Sequence, residues 1–290
     1  MLVLQRLHGL ADDATSFQIT DRNSFRAFLG LTPGDAVPDG QTIADFREGL
    51  MKAGAVQQLF DTFLEHLRTQ HGLALARQGV VVDATFVEVP KQRNTRAQSQ
   101  QIKAGKVPEE FAAQPKLRAH KDCDARWTKK GFQNFYGYKN HVKVDVRDKL
   151  IMAAKVTAAN VHDSRGLADL IEPADRVLYA DSAYKGAPIK AMLEQKKIVA
   201  HINEQGTRRA PLSEEQKLSN RQKSKVRVRV EHVFAQMTGS MKALVQRCIG
   251  LLRNAACIML SNLTYNLLRF EQIKRLGQGS AAGGSLALPA

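Results

Sequence analysis

Between Gly79 and Val89 the chain reads GVVVDATFVEV, three valines in a row followed by a Phe-Val pair. A run of that kind belongs to a strand buried on both faces. Asp83 stands in the middle of it, and a buried carboxylate is costly unless it is paired or holds a metal. An aspartate at a strand end that hydrogen-bonds a turn is the other reading of such a residue. The pattern recurs at Arg176–Tyr184 (RVLYADSAY), where a short apolar strand delivers Asp181 just before an expected helix. Two strands that each present one carboxylate suggest a shared oxygen-ligand site for a hard divalent cation.

The placement of charge supports a large anionic partner. The net charge is +15, and residues 91–143 hold thirteen Lys or Arg against four Asp or Glu. Residues 206–229 hold eight against two, and the rest of the chain is balanced. One basic run is usually a solvated face. Two that flank the aspartate strands point to a polyanion held over the carboxylates. Met1–Leu10 carries Arg6 and His8 and does not resemble a signal peptide. Ile249–Phe270 is apolar but interrupted by Arg253, Asn254, Asn262, Asn266 and Arg269, so it reads as a buried helix rather than a membrane span. The three cysteines form no CxxC pair. A cytoplasmic protein without membrane association is expected.

Residues 1–75 read as a small helical N-terminal domain. Thr42 and Asp45 suggest a capped helix. Val56, Leu59, Phe60, Phe63, Leu64 and Leu67 then mark a helical stripe. Such helices suit either a DNA-end reader or a plain packing bundle. Residues 76–272 follow as an α/β domain with a basic insertion at about 90–135. Its Lys91–Gly105 segment has few apolar anchors and reads as an exposed arm. Trp127, Phe132, Phe135, Tyr136 and Tyr138 lie among Lys129, Lys130 and Lys139. They are either base-stacking and phosphate-gripping groups or the face of a sheet. Tyr138–Val146 and Leu150–Ala159 alternate as strands around an Arg147-Asp148-Lys149 turn. A helix from Asp163 to Ile171, the Asp181 strand, a helix over about 187–195 and a strand at Ile198–Ile202 complete the order. That order predicts a ribonuclease-H-like mixed five-stranded sheet with flanking helices. Residues 273–290 read as a flexible tail.

A metal site for phosphoryl transfer generally needs a further carboxylate, and Glu231 in Val230-Glu231-His232-Val233-Phe234 is the candidate. Val230, Phe234, Met237, Met241, Leu244 and Val245 are expected to form the core stripe of its helix. Val226–Val230 alternates like a strand, so the helix is expected to begin within it.

The motifs VVVDATFVEVPKQRNTR, KDCDARWTKKG, YGYKNHVKVD, TAANVHDSRGLADLI, VLYADSAYKG and RVRVEHVFAQM, in this order, resemble bacterial insertion-sequence transposases of the DDE class, in the group of insertion-sequence families four and five. The likeness spans roughly residues 20–272. It implies Asp83, Asp181 and Glu231 as a catalytic, metal-binding triad for two Mg²⁺ ions, with Mn²⁺ able to substitute. It also implies double-stranded DNA as partner, both element ends and target, and a homodimer on that DNA. Lys129, Lys130, Lys139, His141, Arg227 and Arg229 are the expected DNA contacts. The family signature around the glutamate reads Tyr, Arg, Glu, Lys. Here Arg227 and Glu231 match it, whereas Ser224 and Thr238 stand at the Tyr and Lys positions. Relatives carry a longer segment ahead of the part matching Met1–Leu31. The expected activity is cleavage at the element's ends followed by strand transfer. A nuclease of the same fold that does not join strands, or a repurposed DNA binder, are the alternatives.

Overall fold

The computed structural model describes residues 1–73 and 75–282. Five helices come first: α1 (Leu2–His8), α2 (Asp12–Asp21), α3 (Asn23–Phe28), α4 (Gly40–Lys52) and α5 (Ala55–Thr69). The cap of α4 is Asp39, whose carboxylate accepts the Thr42 N–H, so the helix starts earlier than Thr42. The helices do not share one core. Leu4, Ile19 and Phe25 form a small apolar cluster of their own. The α5 stripe of Val56, Phe60 and Leu64 instead enters the main core below the sheet.

Strand β1 (Val80–Glu88) opens the sheet. Three short helices, α6 (Arg96–Lys103), α7 (Glu109–Ala112) and α8 (Pro115–Ala119), lead to β2 (Arg126–Lys130), β3 (Gln133–Asp145) and β4 (Ile151–Ala158). After α9 (Leu167–Leu170) come β5 (Val177–Ala180), α10 (Ala187–Gln195) and β6 (Val199–Ile202). The sheet has six strands, in the order β2-β3-β1-β5-β6 with β4 also paired to β3. The expected five are all present, and the sixth is β2. It falls in the basic insertion, where Lys and Arg mask the strand signal. β3 runs antiparallel to β1, β2 and β4, while β5 runs parallel to β1 and to β6. This is the mixed α/β sheet expected of a ribonuclease-H-like domain.

Alternation along β1 and β3 sorts their side chains onto two faces. Val81, Val142 and Val144 pack with Val230, Val233 and Met237 from α11 (Glu214–Thr238) and with Ala256, Met259 and Leu260 from α12 (Leu251–Ala282). Val80 and Val82 face the other way, onto Leu167, Leu170, Leu193 and Tyr184. The sheet is therefore covered on both sides, which is why β1 is a continuous apolar run. Polar side chains inside this core are matched. Asn140 and Asn262 bond each other, and Asn266 holds both the N–H and the C=O of Ile151.

Four local expectations are corrected. Residues 96–103 of the expected arm are helical, because Thr95 and Gln98 make a reciprocal capping box. α11 begins at a second capping box, Ser213 and Gln216, well before the strand-like Val226–Val230 stretch. The α11 stripe stops at Thr238, so Met241 enters the core from a loop and Val245 is exposed. α12 continues through Ala282, so residues 273–282 are helical, and the remainder of the expected tail lies outside the described residues. Among the described residues no helix is long and apolar enough to cross a membrane.

Candidate active site

Register places the first two acids. In the parallel ladder Val80 pairs with Leu178 and Val81 with Tyr179. Continued two residues further, the same register sets Asp83 beside Asp181 on neighbouring strands, whose spacing is about 4.8 Å. Both then lie on the face of Val81, under α11. Their proximity is felt electrostatically, since Asp181 raises the pKa of Asp83.

Asp83 is mostly buried, and burial pushes its pKa up to about 6, with Asp181 adding to the rise. The Ala84 N–H donates to Oδ1 at 2.8 Å, and Arg227 Nη2 donates to Oδ2 at 3.2 Å. These bonds offset only part of the desolvation. Asp181 follows β5 and caps the next turn, accepting the Ala183 N–H at 2.8 Å. Tyr184, one turn on, is fully buried, and its hydroxyl has no hydrogen-bond partner. Burial, together with Asp83, Asp163 and Asp181, pushes its phenol pKa up, so it stays a neutral donor among carboxylates. Neither Tyr184 nor the Arg227–Asp83 ion pair was anticipated: Tyr184 packs with Val80 and Val82 on the other face of the sheet, and the ion pair forms where α11 lies over β1.

Glu231 is one turn beyond Arg227 on α11, a rise of about 6 Å. It is exposed, while its neighbour Val230 is fully buried. Arg227, not Glu231, is the α11 side chain that touches Asp83. Among the described residues no three acidic, His or Cys side chains converge closely enough to enclose a metal ion. The donor chemistry fits a hard divalent cation: two carboxylates on neighbouring strands, one of them buried and incompletely neutralised, and a third one helical turn from the arginine paired with Asp83.

The expected DNA contacts divide. Lys129 and Lys130 are exposed at the end of the β2–β3 hairpin. Arg229 lies close enough to Lys149 that, after burial and Arg269, it lowers the Lys149 pKa. Lys139 and His141 are placed away from Asp83. They pair with Phe86 and Ala84, so they lie on the sheet face opposite Asp83. Lys139 is spent on Asp163 at 2.7 Å and the Val161 carbonyl at 2.8 Å. His141 is fully buried against Thr157, and burial drives its pKa down to about 4, so it is neutral and cannot meet a phosphate. One-residue alternation separates these residues from Asp83.

A basic stripe was missed instead. Lys217, Arg221 and Lys225 are exposed and recur every fourth residue, hence on one side of α11, in the row that Arg229 continues. The two departures from the family signature are also placed. Ser224 accepts the Asn203 amide at 3.1 Å, joining α11 to the end of β6, and Thr238 bonds the Phe234 carbonyl of its own helix.

Residues 75–267 match the family model described as Transposase DDE domain. The chain belongs to the DDE transposase family. Residues 1–49 match a second model, described as Transposase domain (DUF772), so the helices α1 to α4 are a recognised transposase element too. No solved structure matches the chain. A DDE transposase is a DNA-cleaving and DNA-transferring enzyme.

Proposed function

We propose that this transposase cuts the ends of a bacterial insertion sequence in a Mg²⁺-dependent reaction and transfers the freed strand into target DNA, with Asp83, Asp181 and Glu231 as metal ligands. The observation that carries the reading is the β1–β5 register, which brings Asp83 and Asp181 side by side beneath the basic helix α11. When bound, two Mg²⁺ ions, or Mn²⁺ in their place, would lower the pKa of an attacking water and stabilise the attacking and leaving oxygens.

The protein's own groups do the rest. Asp83 presents its carboxylate from within β1 and Asp181 from the residue after β5. Arg227 neutralises Asp83 at 3.2 Å; once that carboxylate has another cation, the guanidinium is free to hold a phosphate oxygen bidentately. Glu231 closes the set from the next turn of α11. Lys217, Arg221 and Lys225 hold the phosphate backbone along the helix, with a rise of about 6 Å between successive cations. Lys129, Lys130 and Arg229 supply further phosphate contacts. α1 to α4 read element-end DNA, and the enzyme acts as a homodimer so that two ends are cut together.

The test incubates the full chain with Mg²⁺, a labelled duplex of the element's own end and a supercoiled plasmid. Cleaved and plasmid-joined products are expected from the wild type. Asp83→Ala, Asp181→Ala and Glu231→Ala should each lose both products while binding the duplex within about threefold of wild type. Cutting retained by any of the three refutes its assignment, and cutting without joining favours a nuclease.

A further inference from the structure

Phe132, at the tip of the β2–β3 hairpin, has no role in the chemistry above. β2 ends at Lys130, β3 begins at Gln133, and Lys130 pairs with Gln133, so the loop is the two residues Gly131 and Phe132. Gly131 has φ 59° and Phe132 does not have positive φ, the requirement of a tight hairpin turn with glycine at its first central position. The turn is rigid, and it holds Phe132 fully into solvent, at 102% relative exposure. A large apolar side chain at the apex of a short, register-locked hairpin is unfavourable in water and invites a partner.

The surroundings say which partner. Residues 126–134 contain Arg126, Lys129 and Lys130 and no acidic residue. Behind the tip Trp127 is 51% exposed, with Lys91 Nζ 5.8 Å from its ring centroid. On the other face Phe135 stacks on Phe86 at 4.3 Å, with Lys130 Nζ 5.9 Å from the Phe86 ring centroid. An exposed aromatic apex flanked by phosphate-binding lysines matches an apolar wedge entering a DNA base stack, and not a protein surface of mixed charge.

We propose that Phe132 is a base-stacking wedge: it inserts between base pairs of the element-end duplex and unstacks them, while Lys129 and Lys130 grip the phosphates on either side. The inference rests on the DNA-cleaving function proposed above and adds to it a site for an unstacked nucleobase. Position follows from the register. Val142 on β3 is the partner of Asp83, and Gln133 lies nine residues before it on the same strand. Phe132 is one residue further, so at about 3.4 Å per residue the wedge stands about 34 Å along the strand from the level of the catalytic carboxylates. That span equals about ten base pairs. The distorted step therefore lies within that distance of the cut. It would ease the scissile strand out of the duplex, at the energetic cost of unstacking, which lysine–phosphate contacts offset.

The experiment uses the full chain and duplexes of the element end that carry 2-aminopurine at one position each, stepped from the terminal nucleotide inward over about twelve base pairs. Wild type should raise the fluorescence threefold or more at one or two adjacent positions, in EDTA as well as in Mg²⁺. Phe132→Ala should flatten that rise while binding the duplex within threefold, and Phe132→Trp should restore it. A mismatch built in at the responding position should rescue cleavage by Phe132→Ala tenfold or more. Circular dichroism of Phe132→Ala should be unchanged, since the side chain is wholly exposed. Absence of any responding position with wild type, or an equal rise with Phe132→Ala, overturns the wedge. Asp83→Asn separates the two readings. It should keep the fluorescence rise and lose cleavage; cleavage retained by Asp83→Asn, with the rise intact, sinks the active-site assignment and leaves the wedge standing.

Discussion

Asp83 carries a stability cost that should be measurable. Its carboxyl pKa is raised from 3.8 to about 6 in the folded protein, chiefly by burial. Its side chain is only 14% exposed, so the shift is little screened by solvent. At 1.36 kcal/mol per unit the ionised form destabilises the fold by about 3 kcal/mol relative to the protonated form. The sign follows from linkage. Between the unfolded pKa near 4 and the folded value near 6 the native state binds more protons, so this contribution to stability is lost as pH rises through that window. Asp83→Asn keeps the shape and a carbonyl acceptor for Arg227 but never ionises. In EDTA at pH 8 it should be more stable than wild type by about 1–3 kcal/mol, raising Tm by up to about 5 °C for a chain of this size. Near pH 4 the difference should shrink to nothing. Differential scanning calorimetry of the pair across pH 4–8 is the assay, and taking the difference cancels other buried acids such as Asp145, whose pKa is also raised by burial. An Asp83→Asn protein no more stable than wild type at pH 8, or a gain that does not vary with pH, would refute the reasoning. Adding Mg²⁺ should then stabilise wild type and not the variant, because the ion binds the carboxylate that the fold disfavours.

Other outcomes follow from the same packing. Lys143 is fully buried against Asp175 at 3.1 Å, with Glu172 at 3.2 Å, so Lys143→Ala should cost about 3–5 kcal/mol in urea unfolding. Gly137 has φ 147°, and a Cβ there would lie 2.2 Å from the Val87 carbonyl oxygen; Gly137→Ala should lose more than about 3 kcal/mol and express as insoluble protein. Replacing Lys217, Arg221 and Lys225 together by Ala should reduce the slope of log affinity against log salt by about 2.7, measured by fluorescence anisotropy on duplex DNA. Lys139→Ala should leave that slope unchanged and lower stability instead, because Lys139 is held by Asp163 on the opposite sheet face; a shallower slope would return it to the DNA interface.

Much of this molecule was legible from residue order. The β1 and β5 strands, the α5 stripe and the hairpin at 147–149 follow from local periodicity and turn chemistry, which depend on neighbours a few residues away. The capping boxes at Thr95 and Ser213 were equally local, but basic and alternating residues around them hid the helices they start. Val228 illustrates the difficulty: it reads as one tooth of a strand, yet on α11 it is exposed while Val230 is buried.

What the sequence determined by itself is the set of chemical groups and the short-range order that delivers them: two aspartates on apolar strands, a glutamate on a helix, and two basic segments. Only the tertiary structure decided which of these share a face. A single residue of register separates Asp83 from its neighbour Ala84, and with it the side that meets α11 from the side that buries Lys139 and His141. That choice depends on pairing between segments tens of residues apart, where long-range burial, not local propensity, sets the register.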